Sequence, residues 1–207
     1  MTATSRQRRI VVFDIGGVLL DWNPRHLYRK LFPGDEAAME DFLANVCTVE
    51  WNERQDAGRT FADAHAALLP RHADKSHLIE AFGKRFDEMI AGPIEDTVGI
   101  LADLKRGAVP RYALTNWSAE TFPPARPRYE FMSWFDGIVV SGEEGVIKPD
   151  ARIFRILLER YDIPADAAVF IDDNPGNAAA AQALGIHGIH FRSPEVLRRE
   201  LETLGIL

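Results

Sequence analysis

Four short apolar runs, each closed by polar residues, constrain the fold of this chain more than any other feature. Ile10-Val11-Val12-Phe13 ends at Asp14, and Tyr112-Ala113-Leu114 ends at Thr115-Asn116. Gly137-Ile138-Val139-Val140 runs into Ser141-Gly142, and Ala168-Val169-Phe170-Ile171 runs into Asp172-Asp173-Asn174. A fifth, weaker run is Gly188-Ile189-His190-Phe191. Apolar residues without alternation mark strands buried on both faces, as in a parallel sheet covered on each side. Helical patterns separate the runs. Asp150 can cap a helix over Ala151–Tyr161 whose apolar face includes Ile153, Phe154 and Leu157. Asn174-Pro175 opens a second that stops at Gly185, and Ser193-Pro194 opens the last. Strands and helices in alternation predict an α/β fold with right-handed crossovers.

One stretch breaks the alternation. From Trp22 to Gly92 there is no convincing strand, only helical segments punctuated by Pro33-Gly34, Gly58, Pro70 and Gly83. That is too long for a connection between neighbouring elements. The expectation is a discontinuous core of residues 1–21 and 93–207, with an all-helical insertion over 22–92.

Composition excludes several function classes. The net charge of −7 argues against a nucleic-acid backbone as the main partner, so an anionic ligand must be held by local cations. No apolar run approaches the roughly 20 residues of a membrane span, and the start of the chain lacks the apolar segment of a secretion signal. The single cysteine, Cys47, reads as a buried thiol and fits a reducing compartment. A cytoplasmic location and no membrane or nucleic-acid partner are expected. The basic residues Arg6, Arg8 and Arg9 read as a solvated tail.

In an open parallel sheet, ligands bind at the carboxyl ends of the strands. Asp14, Thr115-Asn116 and Asp172-Asp173 all stand at such ends, and Lys148 follows the third run closely. Three carboxylates brought together repel one another unless a cation joins them. Oxygen donors without a ligand-spaced set of histidines or cysteines favour Mg²⁺ over zinc. A carboxylate beside such a cation can attack phosphorus, and Lys148 and the Thr115 hydroxyl can neutralise the phosphoryl oxygens.

The segments Phe13-Asp14-Ile15-Gly16-Gly17-Val18-Leu19, Leu114-Thr115-Asn116, Lys148-Pro149-Asp150 and Phe170-Ile171-Asp172-Asp173-Asn174 resemble the four motifs of the haloacid dehalogenase superfamily, over nearly the whole chain. Its bacterial subgroup that includes α-D-glucose-1-phosphate phosphatase is the nearest resemblance. The resemblance implies a Rossmann-like core with a C1-type cap and a Mg²⁺-dependent phosphohydrolase acting on a small phosphorylated metabolite, with a sugar phosphate expected. It implies Asp14 as nucleophile and metal ligand, the Gly16 carbonyl, Asp172 and Asp173 completing the metal site, and Thr115, Asn116 and Lys148 on the phosphoryl group.

Most phosphatases of the superfamily carry a second Asp two residues after the nucleophile as general acid and base, and here that position is Gly16. Asp21 is the nearest replacement, its plainer reading being a solvated flap residue. Without an acid, anomeric and aryl phosphates are expected to be preferred over primary alkyl phosphates. In the inserted stretch, Trp51, Asn52, Arg54 and Asp56 either read the substrate or serve as a packed tryptophan and a solvated helix end. Two other functions stay open: a 2-haloacid dehalogenase using the same Asp on carbon, and a non-catalytic phosphometabolite-binding protein.

Overall fold

In a computed structural model that describes residues 10–207, the apolar runs form one five-stranded parallel sheet. The basic residues Arg6, Arg8 and Arg9 lie outside the described residues. In chain order the strands and helices are β1 (Ile10–Phe13), β2 (Leu20–Trp22), α1 (Arg25–Leu31), α2 (Glu36–Asn45), α3 (Val49–Asp56), α4 (Phe61–His72) and α5 (Ser76–Lys84). They continue with β3 (Ile90–Pro93), α6 (Glu95–Arg106), β4 (Arg111–Thr115), α7 (Phe122–Ala125), β5 (Gly137–Val140) and α8 (Ser141–Glu144). Last come α9 (Ala151–Arg160), β6 (Ala168–Asp172), α10 (Pro175–Ala183), β7 (His187–His190) and α11 (Pro194–Thr203).

The sheet order is β5-β4-β1-β6-β7, so β1 is central and pairs in parallel with both β4 and β6. Its residues divide by strand period. Val11 and Phe13 join the core on one face with α6 and α11, and Val12 joins Phe154, Leu157 and Ala181 on the other. Register aligns Phe13 with Ala113 and with Ile171, which sets the carboxyl ends of β1, β4 and β6 side by side. Asp150, Asn174 and Ser193 cap α9, α10 and α11 through their side chains, as expected.

The insertion departs from expectation in two respects. It is flanked by a two-stranded antiparallel ribbon, β2 with β3, in which Leu20 faces Pro93 and Trp22 faces Ile90. Strands of three and four residues are too short to show a period, and their pairing spans the whole insertion. Of the punctuating residues, Gly34 and Gly58 do separate helices, whereas Pro70 lies within α4 and Gly83 within α5. Gly83 marks close packing, not a stop: a Cβ there would stand 2.7 Å from the ring of Phe61. The helices share an aromatic core in which the rings of Tyr28 and Phe42 lie 5.0 Å apart and those of Trp51 and Phe82 5.1 Å apart. Cys47 is buried beside it, and that burial pushes its thiol up to about 12.

The close contact of β7 with α10 offers a direct test of this packing. A Cβ at Gly188 would collide with the backbone carbonyl of Ala178 in α10. Gly188→Ala should therefore lower stability by about 1–3 kcal/mol, measured as a shift in the urea unfolding midpoint at unchanged slope.

Candidate active site

The centre of the carboxyl edge is the ammonium of Lys148. Its side chain is fully buried, and its Nζ donates to Asp172 Oδ2 at 2.7 Å and to the Leu114 carbonyl at 2.9 Å, and lies 2.9 Å from Asp14 Oδ1. All three donors of the ammonium are thereby engaged. The backbone of Lys148 is clasped by Asn116, whose Oδ1 accepts from Lys148 N at 2.8 Å and whose Nδ2 donates to Lys148 O at 3.0 Å. The side chain of Asn116 thus holds the loop that delivers the lysine. The next helix after Thr115-Asn116 is the short α7.

Asp14 and Asp172 differ in how they are held. Asp172 is fully buried and accepts from Asn174 N at 2.8 Å and from Asn177 Nδ2 at 3.0 Å, besides Lys148. Asp14 accepts from Ile15 N on Oδ1 at 2.7 Å, and its Oδ2 receives no hydrogen bond from the described residues. Asp173, exposed, completes the group, and one carboxylate oxygen from each of the three lies within 4.8 Å of the others. Gly17, at φ +72°, makes room for it, since a Cβ there would strike the Asp173 carboxylate.

The electrostatics follow from three carboxylates sharing one cation. Burial raises Asp14 most; Asp172 and Asp173 raise it further, and Lys148 only partly offsets them. Burial and Asp172 likewise raise Asp173. Burial opposes the charge on Lys148, but Asp14 and Asp172 more than offset it, and the ammonium is retained. Oxygen-only donors short of positive charge fit a small hard cation such as Mg²⁺.

Beside this group, at the same edge, is a cavity of about 70 Å³. Gly16, Thr115 and Asn116 line its floor, and Asn52 and Asp56 of α3 face it from the insertion. The remaining wall is apolar: Leu20 and a run of rings in which Trp22 stacks on Phe86 at 6.2 Å and Phe86 on Trp117 at 5.7 Å. A larger cavity of about 530 Å³, between α2 and α3, shares Trp22, Asn52 and Asp56 with it. Two buried polar atoms on these shared residues, Trp22 Nε1 and Asn52 Oδ1, have no hydrogen-bond partner among the described residues.

Of the other residues singled out in the sequence, Trp51 is packed against Phe61 and Phe82, and Arg54 is exposed. Asp21 is exposed on β2 and pairs with His26 at 3.1 Å, away from the cavity lining. Trp22, Phe86, Trp117 and Asn177 carry no sequence signal of their own; only the folded chain brings them to this edge.

The family model for haloacid dehalogenase-like hydrolases matches residues 8–185. The chain belongs to that family. It is a hydrolase with the family's α/β fold. Among similar proteins is the sesquiterpene phosphatase astK of Aspergillus oryzae, 28% identical over 95% of this chain and 96% of that protein. (S)-2-haloacid dehalogenase 1 of a Pseudomonas species is 26% identical over 88% of this chain and 84% of its own. A Bacteroides thetaiotaomicron enzyme of the family, solved with magnesium and inorganic phosphate, superimposes with a TM-score of 0.68 at 21% identity, over 89% of this chain and 94% of that one. Two longer curated relatives, 25% and 30% identical, are matched over only 36% and 19% of their own lengths.

The two charged partners at the centre should respond to substitution with opposite signs. Lys148→Met strands two buried carboxylates and should cost about 3–5 kcal/mol of stability. Asp14→Asn should stabilise the metal-free protein. Because the folded-state value of Asp14 lies above its ordinary 3.8, wild type loses stability as pH rises from there through the raised value, and the asparagine variant does not. The difference in melting temperature between Asp14→Asn and wild type should therefore widen from pH 4 toward neutrality in the presence of EDTA. A difference that narrows with pH contradicts this electrostatic picture.

Proposed function

We propose that this hydrolase cleaves phosphomonoesters of small metabolites with Mg²⁺, through an aspartyl-phosphate on Asp14. The observation that carries the reading is the Asp14–Lys148–Asp172 bridge with Asp173 beside it, at the same edge as a cavity lined by Gly16 and Thr115. Asp14 attacks phosphorus while Lys148 and the Thr115 hydroxyl balance charge on the phosphoryl oxygens. Water then releases phosphate. Asp14, Asp173 and the Gly16 carbonyl would hold Mg²⁺, with Asp172 adjoining, and the ion would supply further charge neutralisation at the phosphoryl group. In the same reading Asn116 positions Lys148, and residues 22–92 serve as the cap that closes over the site.

The cavity wall favours an alcohol with both an apolar face and a hydroxyl. The rings of Trp22, Phe86 and Trp117 offer the first, and the unpartnered Trp22 Nε1 and Asn52 Oδ1 suit the second. A sugar fits that description, and a sugar phosphate is the substrate class we propose. The relative that acts as a sesquiterpene phosphatase makes prenyl phosphates the first comparison in a substrate screen.

The 26% identical haloacid dehalogenase keeps carbon chemistry as the second reading. Against it stand Asp172 and Asp173, which would repel a carboxylate substrate.

Hydrolysis of 4-nitrophenyl phosphate by purified protein decides between them. It should require Mg²⁺, cease with EDTA, and fall at least about 10³-fold in Asp14→Asn, an amide being no nucleophile. Asp173→Ala should need more Mg²⁺ than wild type, and Mg²⁺ should raise the wild-type melting temperature. Chloride release from 2-chloropropionate in EDTA, with no phosphate ester cleaved, would replace the phosphatase with the dehalogenase.

A further inference from the structure

Gly16 leaves the family's usual acid position without a carboxyl, and it leaves space as well. A Cβ built there meets nothing nearer than Trp22 Cβ at 4.0 Å. Gly16 lines the small cavity at this edge together with Thr115, and among the residues lining it Asp56 alone is ionisable. Asp56 ends α3, is 9% exposed, and stands apart from the three-carboxylate group of Asp14, Asp172 and Asp173.

Its position is fixed twice over. The Asp56 carbonyl accepts from Ser141 Oγ at 2.6 Å, and that hydroxyl also accepts from Trp117 N at 3.0 Å. The end of α3 is thereby tied to the carboxyl ends of β4 and β5. On the side chain, Oδ2 accepts from Asn52 Nδ2 at 2.9 Å, one helical turn back. A carboxyl from the insertion is therefore held over the floor formed by Gly16 and Thr115.

We propose that Asp56 is the general acid and base of this enzyme, standing in from the insertion for the side chain that residue 16 lacks. The proposal rests on the phosphomonoester reading above. As the bond from Asp14 to phosphorus forms and the ester P–O bond breaks, the Asp56 carboxyl gives its proton to the departing alkoxide, which leaves as the alcohol. The Asp56 carboxylate then takes a proton from water as the water oxygen bonds to phosphorus. The aspartyl-phosphate bond breaks, inorganic phosphate leaves, and the Asp56 carboxyl is restored.

The surroundings keep the proton available. Burial pushes Asp56 up to about 7 and Glu53 on the same helix adds to it, while Lys148 and the Ser118 amide pull the other way. An acid near the working pH combines availability with driving force.

The test uses a series of aryl and alkyl phosphates of graded leaving-group pKa, with Mg²⁺. Asp56→Asn should lower kcat/KM for alkyl phosphates by about 10²–10⁴-fold, with a change of under about tenfold for 4-nitrophenyl phosphate. The dependence on leaving-group pKa should steepen, and phosphoenzyme should accumulate because its hydrolysis has lost a base. Adding Gly16→Asp to Asp56→Asn should recover the alkyl substrates. Equal losses across the series, without phosphoenzyme build-up, would reduce Asp56 to a structural residue and overturn the proposal. Gly16→Asp alone provides a variant that leaves Asp56 and its supports in place. A shallow wild-type dependence that this variant does not change supports Asp56, and a steep one that it flattens overturns it. If wild type cleaves no phosphate ester in the series, the phosphomonoester reading fails and the proposal with it.

Discussion

The site depends on one buried ammonium. Among the described residues Lys148 Nζ is the only cation joined to Asp14 and Asp172, and it reaches them from a loop held by the two hydrogen bonds of Asn116. A buried ion pair of this kind adds little net stability, since desolvation consumes most of the Coulomb attraction. Its effect is on arrangement. Two acidic side chains that would otherwise separate are held side by side at the ends of adjacent strands. With Lys148 and the Ile15 amide both on Asp14 Oδ1, its other oxygen is left clear of donors from the described residues.

The remaining negative charge is a ligand requirement written into the fold. Burial raises Asp14 and Asp173, and the crowding of three carboxylates around one ammonium raises them further. A divalent cation and a phosphoryl group bring opposite charges to this edge together, so each suits the other's presence. The same reasoning explains why a chain of net charge −7 can hold an anion: the cations that matter are local and buried.

The core and most of the candidate site were legible in the sequence because both follow from local pattern. Apolar runs such as Ala168–Ile171 locate buried strands, and in a parallel sheet their polar ends must meet. Asn174-Pro175 and Ser193-Pro194 carry their helix starts in their own chemistry. What escaped notice depends on contacts distant in sequence. The β2–β3 ribbon pairs residues separated by the whole insertion, and its strands are too short to carry a period. Gly83 reads as a break, yet it serves the approach of Phe61. In the stretch from Trp51 to Asp56, the sequence left two readings equal. Helical spacing separated them: Asn52 and Asp56 lie one turn apart on the face toward the cavity, Trp51 points into the aromatic core and Arg54 into solvent. Asp21, closer to Asp14 in sequence, is carried away by the ribbon.

The proposed mechanism requires Asp14 to take the phosphoryl group covalently. The most direct measurement is intact-protein and peptide mass spectrometry after acid quench of the enzyme turning over 4-nitrophenyl phosphate with Mg²⁺. A protein fraction heavier by one phosphoryl group is expected, located on the peptide containing Asp14 and absent from Asp14→Asn. Phosphate release at the wild-type rate by Asp14→Asn, or a phosphoryl group found on any other residue, would contradict it.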